Sequence, residues 1–137
     1  MRGESIIHGD TTLQCGKRVI LLTSKEALKI LARAKDIGVD GTFKITPKPW
    51  KQVAIISAEV REGIWVPVAF GYLPDKKYDT YTTFFSLLKT TMASCDLELS
   101  ARSLMTDFEI NWRKAALDAF QGILLIGNYS KETSKNN

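Results

Sequence analysis

Two acidic residues stand apart from other acids in runs that look structured, and they are the first candidates for chemistry. Asp40 lies in "VDGTFKITPKPWKQ" (39–52), which alternates apolar and polar residues before entering a proline-ruled loop. Asp107 lies in "MTDFE" (105–109), where a strand-like run meets a helical stripe. If those two strands lie side by side, carboxylates 67 positions apart in the chain meet on one side of a sheet. Oxygen ligands of this kind suit a hard divalent ion, Mg²⁺ or Mn²⁺. Two such ions about 4 Å apart stabilise the attacking and leaving oxygens of an in-line phosphodiester displacement. Taken singly, each acid also has a structural reading: Asp40 exposed on a strand face, Asp107 at a helix N-terminus, where negative charge is favoured.

Other chemistries have less to build on. His8 is the single histidine, which leaves a histidine triad or zinc centre without parts. Cys15 and Cys95 lie far apart with no CxxC pattern and read as two reduced thiols of an intracellular protein. No glycine pattern of a nucleotide-binding loop occurs. The basic residues Lys44, Lys48, Lys51, Lys76, Lys77, Arg113 and Lys114 would form a phosphate-contacting rim if their loops converge, and an ordinary solvated surface if they do not. Trp50 would either stack on a base or pack under its own loop. Glu109 has capping-box spacing from Thr106, which accounts for it, and Glu59 is assigned no role. Trp65 and Trp112 fit core positions.

The elements that must position these residues can be read from periodicity. With 137 residues, 45% of them apolar, the chain suffices for one domain. Its net charge of +4 is compatible with nucleic acid without requiring it. Residues 1–17 read as a tail with no signal-peptide core, and 127–137 as a polar tail; no stretch reaches membrane-span length, so a nuclear or cytosolic protein is expected. Residues 18–22 read as a strand. A capping box from Thr23 to Glu26 should then open a helix bearing Ala27, Leu28, Leu31 and Ala34 on one face and stopping at Gly38. Strands are expected over 39–45, 52–60 and 64–73, the last two as an antiparallel hairpin. A helix opened by Asp79 or Thr80 should run to Ser94, with Tyr81, Phe84, Phe85, Leu88 and Met92 inward. A strand over 101–106, a helix with Phe108, Trp112, Ala115, Ala116, Ala119 and Phe120 on one stripe, and a parallel strand over 123–126 complete a mixed α/β architecture.

Three blocks in this order, "DGTFKITPKPWKQ", "VPVAFGYLPDKKYDTYTTFFSLLK" and "MTDFE", resemble the Mutator-like (MULE) transposase domain over residues 18–120. That family's recurring blocks are DGTF with a proline-containing loop, an LLP-x-K-x-x-TY segment and TDFE. The resemblance implies an RNase H-like α/β fold, a three-strand antiparallel meander plus parallel strands with helices on its faces, spanning 18–126. It also implies DDE chemistry, in which three acids hold Mg²⁺ or Mn²⁺ for DNA strand cleavage and transfer. Matched by position, Asp40 is the first acid and Asp107 the second. The third, a glutamate on a later helix, has no counterpart: Asp118 and Glu132 are the downstream acids, and neither has its context. Cys-x-x-His-like and zinc-binding DNA segments are also absent. The chain therefore reads as a truncated or decayed transposase core, incomplete at its C-terminus and inactive alone, with DNA and self-association as its expected interactions. The competing reading is a host-retained, non-catalytic DNA-binding or protein-interaction module. An unrelated α/β small-molecule domain is the third, and the ordered blocks count against it.

Overall fold

The computed structural model describes residues 6–42, 48–106 and 109–127. Along the chain these form β1 (Ile6–Thr12), β2 (Arg18–Ser24), α1 (Lys25–Arg33), β3 (Asp36–Thr42), β4 (Gln52–Arg61), β5 (Ile64–Leu73), α2 (Tyr78–Ser94), β6 (Ser103–Thr106), α3 (Ile110–Ala119) and β7 (Leu124–Gly127). The strands make one mixed sheet in the order β1-β2-β5-β4-β3-β6-β7. Neighbours from β1 across to β3 are antiparallel, while β3, β6 and β7 run parallel. From β3 onward the element order is the expected one, and helices supply both parallel crossovers.

Alternation separates the two faces. In β4, Gln52, Ala54, Ile56 and Ala58 are buried, whereas Val53, Ile55, Ser57 and Glu59 are half-buried. Register places Ala54 beside Gly71 of β5, and Gly71 beside Leu21 of β2. A Cβ on Gly71 would fall 2.4 Å from the Phe84 ring, so glycine is what lets α2 lie this close to the sheet. The core is Leu21, Ile56, Phe84, Phe85, Leu88 and Leu104, with Leu28 and Leu31 from α1. Trp112 of α3 stacks on Tyr81 at 3.7 Å between ring centroids and meets Phe85 edge-on at 5.5 Å, which joins α3 to α2.

The opposite face is more open. Phe70 (39% exposed), Trp65 (37%) and Met105 (37%) reach solvent there, and Asp40 shares that face. Trp112 thus occupies its expected core position, but Trp65 does not. Its strand position, opposite Glu59, lies toward the outer end of the β4–β5 hairpin.

Several expected boundaries shift. Within the expected N-terminal tail, residues 6–12 are a strand that pairs along its whole length with β2, and Asp10 and Arg18 form an ion pair across it. The cap of α1 is Ser24 rather than Thr23: Ser24 Oγ accepts from Ala27 N at 3.0 Å, while the Thr23 hydroxyl donates to Val68 O at 2.7 Å. Helix α1 stops at Arg33, because residues 36–42 extend to pair with β4 and β6, and Gly38 lies inside that strand. Lys77 precedes α2 without a side-chain cap, and Asp79 sits in the first turn, where its charge is favoured. The Thr80 hydroxyl donates to the Asp75 carboxylate.

Candidate functional site

Strand pairing sets the site. Asp40 is exposed on β3 opposite Ile55 of β4. On the other side of β3 lies β6, parallel, with Asp36 opposite Ser103, Ile37 opposite Leu104 and Gly38 opposite Met105, an offset of 67 residues. The start of this pairing is pinned by side chains. Asp36 Oδ1 accepts from Ser103 Oγ at 2.6 Å, and its carboxyl is held below the usual range mainly by that bond, with Arg102 adding to it against a smaller upward push from burial. Asp107 and Lys44 lie outside the described residues.

Of the remaining basic candidates, Lys48, Lys51, Lys76 and Lys77 fall in two loops, while Arg113 and Lys114 lie in α3. Lys48, Lys51, Lys76 and Lys77 are exposed. Lys51 N donates to Leu73 O at 2.8 Å, tying the loop before β4 to the end of β5. Asn111 Nδ2 donates to Lys76 O at 3.0 Å, tying the next loop to α3. Lys51 lines a notch of about 390 Å³ together with Lys17, Arg18, Trp50 and two prolines, Pro49 and Pro74. Trp50 is half-buried; its Nε1 donates to Arg18 O at 3.2 Å and its ring tilts against Tyr72 at 5.5 Å. These contacts hold the ring against the start of β2 and the end of β5. Lys114 Nζ sits 5.4 Å from the Tyr78 ring centroid. Among the described residues no group of three or more His, Cys, Asp or Glu is placed to hold a metal ion, and Cys15 and Cys95 are free thiols.

A buried polar network beside this region was not anticipated. Gln52 and Tyr81 are both fully buried. Gln52 Nε2 donates to Asp75 O at 3.1 Å and to Tyr81 Oη at 2.9 Å, and Tyr81 Oη donates to Glu109 Oε1 at 2.8 Å. Glu109 is the residue before α3 and makes no side-chain cap bond, so its carboxylate serves this network and not the expected capping box. Thr106 Oγ1, the other half of that box, is buried without a hydrogen-bond partner among the described residues. The signal in the sequence was a glutamine at the first inward position of an alternating strand, since residues 52, 54, 56 and 58 share the core face.

No protein-family model matches this chain, and no curated protein matches it. No helix among the described residues is long and apolar enough to cross a membrane.

Proposed function

We propose that the chain is part of an RNase H-like DDE transposase core, with Asp40 and Asp107 as ligands for Mg²⁺ or Mn²⁺ and DNA as the substrate. The observation that carries this reading is the pairing of β3 with β6. The two strands are adjacent and parallel, and their offset of 67 residues equals the separation of Asp40 and Asp107 in the sequence. The antiparallel β3-β4-β5 meander, extended by parallel strands through helical crossovers, is the architecture the reading expects. Carboxylates at these positions supply the hard oxygen donors and negative charge that a divalent ion requires, and bound ions supply electrostatic stabilisation of an in-line displacement. With Asp40 and Asp107 matched to two of the family acids, the expected behaviour is divalent-metal binding.

The test is calorimetric titration of Mn²⁺ into the folded protein and into Asp40→Asn and Asp107→Asn. Saturable binding that is lost in both variants supports a shared site. A folded wild-type protein that takes up no Mn²⁺ refutes it.

The exposed lysines Lys48, Lys51, Lys76 and Lys77 favour a second reading, a non-catalytic module that holds DNA by phosphate contacts. It is distinguished by DNA affinity that falls steeply with salt and is indifferent to Asp40→Asn.

A further inference from the structure

Strand β1 closes one end of the sheet: among the described residues it has β2 on one side and no strand on the other. The backbone groups on that free side follow from the turn into β2. Leu13 N donates to Lys17 O at 2.7 Å, and the register of β1 on β2 continues from that pair without a bulge, from Thr12 opposite Arg18 to Ile6 opposite Ser24. Hydrogen-bonded and non-hydrogen-bonded pairs alternate in an antiparallel ladder. Ile7, Gly9 and Thr11 therefore turn their N–H and C=O groups to β2, and Ile6, His8, Asp10 and Thr12 turn theirs outward. Sheet edges are ordinarily blunted by lysine, proline, a bulge or short length. Strand β1 has none of these over seven residues, whereas the opposite edge strand β7 has only four residues. Helix α2 lies under β1 and presents Thr83, Ser86 and Thr90 along this side, where they line a notch of about 470 Å³ with Asp10 and Thr11. Short hydroxyl side chains there leave room for a second helix beside α2.

We propose that β1 is a self-pairing strand: two copies of this chain join antiparallel through their β1 edges, with a two-fold axis at Gly9, into one continuous sheet. Charge sets the register. Hydrogen-bonded pairs form only between outward-turned residues, so the axis falls on a residue, and Gly9, His8 and Asp10 are the central choices. With Gly9 on the axis all seven residues of β1 find partners, and His8 stands opposite Asp10 of the second copy on both sides of the axis. An axis at Asp10 sets two carboxylates face to face, which is destabilising, and an axis at His8 or Asp10 shortens the paired segment. The His8 imidazole is an N–H donor whether neutral or protonated. The Asp10 carboxylate accepts from Arg18 Nε at 3.2 Å in its own chain and has lone pairs for a second donor. Gly9 suits the axis, because the non-hydrogen-bonded pair there brings Cα atoms to about 4.5 Å. On the helix side Leu87 already fills the space, its Cδ1 3.2 Å from where a Cβ at position 9 would stand. Asp40 and metal binding play no part in this pairing, which leaves the open face of both copies in water.

Amide hydrogen exchange and native mass spectrometry of the full chain test the pairing. The outward amides of His8, Asp10 and Thr12 should exchange slowly at concentrations where a two-chain species is present and freely on dilution. Those of Gly9 and Thr11, bonded to β2, should stay protected at both. His8→Pro removes an outward N–H without touching the β2 ladder and should abolish the two-chain species. His8→Asp sets like charges opposite each other twice and should raise the dimer Kd about tenfold. Mixed with Asp10→Lys, it should recover a two-chain species that carries one copy of each variant in excess of either homodimer. A one-chain mass for the wild type at every accessible concentration overturns the proposal. So does a dimer whose His8 and Asp10 amides remain unprotected, which would place association on another surface. His8→Pro that folds and dimerises like wild type also overturns it. If that variant does not fold, the mixture decides, and no preference for mixed dimers refutes the pairing.

Discussion

Asp75 shows how a single carboxylate can be kept charged within a partly enclosed turn. Burial pushes its carboxyl up, but the Thr80 hydroxyl, the Lys77 amide and the cations of Lys17 and Lys77 together outweigh that push and hold it below the ordinary 3.8. Because the folded value lies below the unfolded one, the unfolded chain binds more protons in that interval. The stabilisation is complete above the ordinary carboxylate value and is lost as pH falls through the folded one. Asp75→Asn is thus expected to lower stability at pH 7 by about 1–2 kcal/mol, the scale of hydrogen bonds to a charged group. It should also flatten the decline in stability below about pH 4. Urea denaturation across pH 3–7 checks both, and an unaltered acid limb would contradict the assignment. Not all of this residue chemistry was legible. The outward face of Asp40 followed from alternation in its own strand, a local signal. The partners of Gln52, by contrast, come from residues 75, 81 and 109, and no periodicity within one segment reports which distant groups will meet.

At the scale of elements, the readable parts were those whose apolar pattern is strong and local. The β4–β5 hairpin and helix α2 carry continuous periodic signals and appear where expected. Strand β1 was hidden because "IIHGDTT" is half-exposed at a sheet edge and needs little apolar content; its order comes from pairing with β2. The end of α1 was misplaced for a related reason. Local sequence offered Gly38 as a stop, but pairing of residues 36–42 between β4 and β6 satisfies more backbone groups than another helical turn would. The start of α1 gives a sharp check. Capping by Ser24 predicts that Ser24→Ala costs about 1 kcal/mol through the unpaired Ala27 amide. Thr23→Ala should act instead through the lost bond to Val68 O. In denaturant unfolding, a neutral Ser24→Ala would remove the cap from the account of this helix.

For the whole molecule, the governing asymmetry is that helix α2 and the core lie on one side of the sheet while the other side leaves apolar groups in water. Phe70 and Met105 are exposed there, on β5 and β6, and Leu124 of the edge strand β7 is 63% exposed. Half-buried Val53, Ile55 and Tyr72 extend the same surface between them. Exposed apolar side chains gathered on one face favour association when they form a large enough patch. A net charge of +4 on 137 residues offers only weak repulsion between copies. The expected outcome is concentration-dependent self-association, seen in light scattering as an average mass rising above the 15.3 kDa of one chain. Phe70→Lys should reverse association through this face with little loss of stability, because the side chain already reaches solvent and Gly71, not Phe70, faces the α2 core. A mass that stays at one chain over the whole accessible concentration range would contradict association through this face.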